Sequence, residues 1–317
     1  MMQDTTVNPA PAPGAPLHVV TGAFGFSGKY IALRLLERGI RVRTLTNHPG
    51  GDSPLHSRIE VAPLNFKNMA ELAHSLQGAA TVYNTYWVRF ARGRMNHETA
   101  VQNTKVLIRA AAQAGVQRIV HVSITNPSPS SPLPYFRGKA AVEEAIRSSA
   151  LSYAILRPAV VFGAEDILLN NIAWMLRRFP VFALPGKGDY GLQPIFVEDL
   201  AALAVDSGRS RENIVVDAVG PETYSYADLV QLIRGTIGSR SRVVRIPAAG
   251  VVLASWLLSR LVNDVVLTKD EVSGLMANLL VSKESPTGST SLRAWLQTHA
   301  RTTGRHYASE LERHYRS

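Results

Sequence analysis

The sequence predicts an α/β fold: a doubly wound parallel sheet with helices on both faces, joined to a smaller, mostly helical C-terminal region. Three observations carry that expectation. Short apolar runs alternate with longer, helix-spaced segments from residue 17 to about residue 156. Those segments are long enough for the right-handed crossovers that parallel strands require. The first apolar run also passes through three closely spaced glycines straight into a helix-spaced segment, a junction typical of sheets wound in this way.

The elements follow in order. Leu17-His18-Val19-Val20 reads as the first strand, and Gly28 to Arg38 as a helix with Ile31, Leu35 and Leu36 on one face, stopped at Gly39. Ile40–Leu45 and Ile59–Ala62 are the second and third strands. A helix over Met69–Leu76 ends near Gly78, and Thr81-Val82-Tyr83 is the fourth strand. The helix His97–Ala114 is closed by Gly115. Arg118–Val122 is the fifth strand, Pro134 to Ser148 a helix, and Tyr153–Leu156 the sixth strand. Beyond Gly163 the pattern loosens: a helix over Ile167–Arg178, a strand over Pro194–Val197 leading into a helix at Leu200, a strand at Ile214–Val216 and a helix over Tyr226–Ile237. The remainder reads as mostly helical, with a Ser/Pro/Gly/Thr stretch at Ser285–Thr290. The expected organisation is a disordered lead-in over residues 1–16, a domain over 17–165, and a C-terminal region over 166–317 interleaved with the sheet.

Composition limits the function. The 317 residues are 46% hydrophobic and 18% charged, as in an ordinary globular protein. The absence of cysteine excludes disulfides and thiolate chemistry, and the histidines form no helix-spaced pair, so no metal is expected. The net charge of +10 is dispersed, with neither a long basic run nor interleaved aromatics, so nucleic acid is not an expected partner. The first sixteen residues lack the basic start and apolar centre of a secretion signal, and a cytoplasmic location is expected. Ala248–Leu261 is the most apolar late stretch. It is too short to span a bilayer and reads as a buried or amphipathic helix, with a peripheral membrane contact as the minority alternative.

The strand-to-helix junction Thr21-Gly22-Ala23-Phe24-Gly25-Phe26-Ser27-Gly28 carries the clearest chemistry. Glycines at 22, 25 and 28 permit a tight turn, a close approach of backbone amides to a pyrophosphate, and close packing of helix on strand. The helix start offers unpaired N–H groups and a partial positive charge to phosphate. The arrangement points to a Rossmann dinucleotide site made by Gly22, Phe24, Gly25, Phe26 and Gly28. About twenty residues on, where a carboxylate would hold the ribose 2′-hydroxyl of NAD, the chain has Asn47 and His48, with no acid until Asp52. The cofactor is therefore read as NAD(P), leaning to NADP because nothing there repels a 2′-phosphate; Arg43 is the nearest strong cation.

The Gly-x-x-Gly-x-x-Gly spacing resembles the extended and atypical branches of the short-chain dehydrogenase/reductase superfamily. Tyr135-Phe136-Arg137-Gly138-Lys139 resembles its YxxxK motif. Residues four apart lie on one helical face, and an ammonium beside a phenol favours the phenolate, so Tyr135 and Lys139 suit proton transfer. The resemblance implies that Lys139 also bonds the nicotinamide ribose and that a hydroxyl at the end of the fifth strand holds the substrate oxygen. Relatives often place two hydroxyl residues there. Here the second position is Ile124, and Ser123 is preferred over Thr125. The resemblance further implies cofactor roles for Asn84, Asn103 and Pro158. It also argues against a nucleotide-sugar substrate, because Leu192 and Gln193 stand where such enzymes carry Arg-Asp. Asp199 reads as a helix N-cap, and the aromatic run Tyr83–Phe90 as either a substrate wall or buried packing.

The expected activity is an NAD(P)-dependent oxidoreductase or epimerase/dehydratase-like reaction on a carbonyl or alcohol of a small molecule, with Tyr135, Lys139 and Ser123 as catalytic residues. A homodimer is compatible with it. The alternative is a non-catalytic NAD(P)H-binding redox sensor or complex-stabilising subunit; over residues 17 to about 205 the chain resembles the atypical group that includes both complex I accessory-subunit-like proteins and epimerase/dehydratase relatives. A third reading is an assembly or membrane-peripheral factor acting through the basic C-terminal third.

Overall fold

The computed structural model describes residues 14–47, 53–93 and 95–314. Most of the expected lead-in, together with His48 and Asp52, lies outside the described residues. In chain order the first elements are β1 (Leu17–Thr21), α1 (Phe26–Glu37), β2 (Arg41–Thr46), β3 (Glu60–Pro63), α2 (Met69–Ser75), β4 (Ala79–Asn84), α3 (His97–Gln113), β5 (Arg118–Val122), α4 (Pro134–Arg147) and β6 (Ser152–Pro158). Then come β7 (Val160–Phe162), α5 (Leu168–Arg178), β8 (Val181–Pro185), β9 (Gly191–Leu192), β10 (Pro194–Phe196), α6 (Val197–Arg209), β11 (Ile214–Ala218) and β12 (Tyr224–Ser225). The chain closes with α7 (Tyr226–Thr236), β13 (Arg242–Ile246), α8 (Ala248–Val262), α9 (Lys269–Met276), α10 (Leu292–His299) and α11 (Glu310–His314).

The main sheet has seven strands in the order β11-β6-β5-β4-β1-β2-β3. The pairings β1–β2, β1–β4, β2–β3, β4–β5 and β5–β6 are all parallel. The doubly wound α/β expectation therefore holds, with the direction of winding reversing between β1 and β4. In such sheets the crevice beyond the strand ends at the reversal is where ligands bind. The central strand LHVVT is buried throughout, as expected for a strand covered on both faces. The helices bury one stripe each: α1 through Ile31, Leu35 and Leu36, and α3 through Leu107, Ile108 and Ala111.

By compactness the chain divides into two units. One holds residues 1–122, 140–156 and 201–215; the other holds 123–139, 157–200 and 216–317. The core of the first gathers Val19, Leu45, Leu72, Val82, Leu107, Ile119, Ile146 and Ile155. The second has its own core around Phe162, Ile172, Leu192, Tyr226, Leu229 and Trp295.

The late region is less helical than its composition suggests. β8 and β13 form a parallel pair, and β9 and β12 an antiparallel one. The segment RVVRI of β13 was missed because its arginines interrupt the apolar run; the structure leaves Arg242, Val244 and Arg245 on the outside. Asp199 is not an N-cap. It lies in the first turn of α6, and its carboxylate accepts from the backbone N–H groups of Ser289 and Thr290 and from the Thr290 hydroxyl, fastening the Ser285–Thr290 stretch. Among the described residues no helix is long and apolar enough to cross a membrane.

Candidate dinucleotide site and its surroundings

The loop after β1 is shaped by the chain itself. Gly22 has φ +68°, a conformation that side chains disfavour. Its N–H donates to the Leu45 carbonyl at 3.0 Å, and its own carbonyl accepts from Gly25 N–H at 2.9 Å. The Ala23 N–H donates to Thr44 Oγ1 at 3.0 Å, tying the loop to β2. A Cβ on Gly28 would collide with the Gly22 carbonyl, so only glycine lets α1 start this close to the strand. Gly25 caps α1 without a side-chain bond, and the first turn contains no carboxylate. The positive end of α1 is therefore not neutralised by an acidic residue of its own first turn, which is the state an anion-binding helix start needs.

The reversal between β1 and β4 is stitched by a side-chain network that sequence reading only partly anticipated. Thr21 Oγ1 donates to Asn84 Oδ1 at 3.2 Å and accepts from the N–H groups of Thr85 and Tyr86. Thr85 Oγ1 donates to the Thr21 carbonyl at 2.5 Å. Asn84 also pairs its amide nitrogen with His121 Nδ1 at 3.1 Å. Asn84 is fully buried, with its polar atoms met by these partners. The available sequence signal for Thr21 and Thr85 was a threonine at each of two adjoining strand exits.

Other expected cofactor residues are placed as follows. Phe24 stacks on His56 at 6.0 Å, and Phe26 packs edge-on against Tyr30. Asn47 is exposed, with its side-chain amide donating to the Leu64 carbonyl at 3.0 Å. Asn103 donates from its amide to Tyr86 Oη at 2.8 Å. Arg43 is not free to meet a phosphate. Its guanidinium grips Glu60 and donates to the Ser75 and Gln77 carbonyls at the end of α2. Burial acts to raise the Glu60 pKa, but hydrogen bonds and charge from Arg43 and Arg41 outweigh it and hold the carboxyl below its ordinary value.

Ser123, Tyr135 and Lys139 belong to the other compact unit. Ser123 and Lys139 are buried, each 3% exposed, and Tyr135 is half-buried against Phe136. Lys139 is thus not on a solvent-facing surface; a lysine this buried is uncommon. The Thr125 hydroxyl donates to the Leu279 carbonyl at 2.9 Å, and its N–H to the Pro158 carbonyl at 3.0 Å. That engages Pro158 through its backbone. Gln193 is buried and structural: it donates to the Gly220 carbonyl and accepts from Ser282 N–H. The aromatic run mostly packs inward. Tyr83 is fully buried, Tyr86 leans on Phe66 at 4.8 Å, and Trp87 stacks on His97.

Residues 22–166 match the family described as NAD(P)H-binding. Over this span the chain is similar to NAD(P)H-binding domains. The chain is 28% identical over 285 residues, covering 83% of it and 70% of the relative, to mitochondrial NADH dehydrogenase (ubiquinone) 1 alpha subcomplex subunit 9 of Arabidopsis thaliana. It is 26% identical over 251 residues to the ceramide reductase of Caulobacter vibrioides, covering 75% of this chain and 76% of that one. Among solved structures, the NADPH-dependent quinone oxidoreductase of Escherichia coli in complex with NADPH superposes with a TM-score of 0.71. Its identity is 20%, covering 89% of this chain and 99% of that one. The family match spans the glycine loop and agrees with the dinucleotide reading of its spacing.

Proposed function

We propose that the chain binds NAD(P)H in the crevice beyond Thr21 and acts as an oxidoreductase on a carbonyl or alcohol of a small molecule that is not a nucleotide sugar. The observation that carries the reading is the Gly22–Gly28 contact, which sets the uncapped start of α1 at the site of sheet reversal. The backbone N–H groups around Gly25 to Gly28 would hold the pyrophosphate, with Phe24 and Phe26 flanking it. When bound, the nicotinamide exchanges a hydride with the substrate carbon. Tyr135 moves the proton at the substrate oxygen, Lys139 favours the phenolate from the same helical face, and Ser123 donates a hydrogen bond to that oxygen. The Thr125 hydroxyl is engaged by the Leu279 carbonyl, which favours Ser123 in that role. The absence of a sugar-nucleotide arginine, with Gln193 engaged by Gly220 and Ser282, supports a different substrate class.

The lack of a carboxylate at Asn47 favours a 2′-phosphate, but Arg43 is held by Glu60. NADPH is therefore expected to bind more tightly than NADH by less than about tenfold, a difference under ~1.4 kcal/mol. Fluorescence titration with both dinucleotides tests the binding claim, and binding of neither overturns it. Turnover is tested against quinones, ketones and ceramide-class lipids. Tyr135→Phe is expected to lower kcat by about 10²–10⁴-fold with cofactor affinity unchanged. Equal turnover by that variant removes the mechanism. The non-catalytic reading is supported by the similarity to a subunit of NADH dehydrogenase. It predicts tight dinucleotide binding with no turnover on any of these substrates.

A further inference from the structure

We propose that α8 is a peripheral membrane contact that lies flat on an anionic lipid surface. The sequence predicts a buried or amphipathic helix here, and a membrane-peripheral factor is the third of its functional readings. The structure instead turns its most apolar stripe outward. Leu253, Trp256, Leu257 and Leu261 are 60%, 54%, 58% and 72% exposed, and they recur at the three- and four-residue spacing of one helical face. The buried positions of the same helix are Val251 and Ser255. A surface helix of a globular protein has the reverse arrangement, with its apolar stripe inside. Four large side chains on one face form the kind of patch that marks an interaction surface.

Charge selects the occupant. The segment from residue 239 to 262 contains Arg240, Arg242, Arg245 and Arg260 and no carboxylate. Arg242 and Arg245 are exposed on β13, which leads directly into α8. Arg260 lies over the Trp256 ring at 5.0 Å, an amphipathic pairing suited to the headgroup boundary, where the ring sits in the acyl edge and the guanidinium stays with the phosphates. At 15 residues the helix is about 22 Å long, too short to span a bilayer. It is suited instead to lie in the interface plane. Pairing the same face of two copies would bring arginines of like charge together, so an anionic lipid surface fits better than a second copy.

The test uses the full chain in a vesicle flotation assay, with phosphatidylcholine vesicles and vesicles in which a third of the lipid is phosphatidylglycerol. Flotation is expected with the anionic vesicles only, and it should weaken as salt is raised. Trp256→Ser with Leu257→Ser changes only outward side chains and is expected to abolish flotation, with thermal stability and NADPH binding unchanged. Arg242→Gln with Arg245→Gln should weaken binding roughly fivefold per arginine. Flotation that survives both double variants, equal flotation with neutral vesicles, or none at all overturns the proposal. So does a wild-type dimer in light scattering that the Trp256/Leu257 variant converts to monomer, because that result assigns the stripe to self-association.

Discussion

Gly28→Ala is the sharpest probe of the dinucleotide loop, because the obstacle it meets is backbone. The added methyl would overlap the Gly22 carbonyl and crowd the Ala23 backbone. Neither can swing aside as a flexible side chain could. Gly22 is fixed by its bond to Leu45, and Ala23 by its bond to Thr44. The start of α1 must retreat by roughly 1 Å to recover an ordinary contact distance. Overpacking of this kind costs about 1–3 kcal/mol, which is a fall of roughly 2–10 °C in Tm for a chain of this size. The retreat also pulls the helix-start N–H groups away from the phosphate position. Losing one or two hydrogen bonds to a charged group, at about 1.5–3 kcal/mol each, weakens dinucleotide binding by at least tenfold. The assay is a paired titration and thermal melt of the wild-type and variant chains. A variant that folds with unchanged NADPH affinity would refute the placement of the pyrophosphate at this turn, whatever its Tm.

Three further perturbations test other parts of the structure. His18 is buried, its Nδ1 lies 3.3 Å from Tyr83 Oη, and burial lowers its pKa from 6.5 to about 4. The neutral ring therefore contributes stability that is fully present above pH 6.5 and lost as pH falls towards 4. Unfolding by urea should show about 3 kcal/mol of acid-side loss that His18→Phe lacks; parallel pH profiles for the two proteins would contradict this. Asp199→Ala leaves the Ser289 and Thr290 N–H groups without their acceptor and is expected to destabilise by about 1–3 kcal/mol. Limited proteolysis should then cut near Ser285–Thr290, and an unchanged digestion pattern would count against that role. Gly235 lies exposed near the end of α7 with open space where a Cβ would go. Gly235→Ala should stabilise by up to about 1 kcal/mol, and a lower Tm would mean that this space is not open.

The sheet was legible because its signal is local and repeated. Each strand from β1 to β6 is a short apolar run, and each intervening helix has its own stop, such as Gly39, Gly78 and Gly115, all with positive φ. The pairs β8–β13 and β9–β12 were not legible, since two- to five-residue strands with arginines or no apolar alternation resemble loops until a partner is known. Asp199 shows the same limit. A carboxylate near a helix start suggests capping, but whether it bonds its own helix or a segment ninety residues away depends on tertiary placement.

At the site, residue type was legible and availability was not. Arg43 looked like a phosphate ligand until β3 set Glu60 beside it, an opposite charge of which the linear spacing of the two residues gave no hint. The Thr125 hydroxyl donates to the carbonyl of Leu279, 154 residues away, a bond the linear sequence does not show. The amide of Asn84 is engaged by Thr21, Tyr86 and His121, partners that the spacing of the residues does not reveal. In each case a group distant in sequence meets the polar side chain, and a buried polar group left unmet costs about 1–3 kcal/mol. The glycines escaped this ambiguity. Gly22 and Gly28 have no side chain to be claimed elsewhere, so the loop's reason for being glycine is visible both in the sequence and in the collision a methyl group would cause.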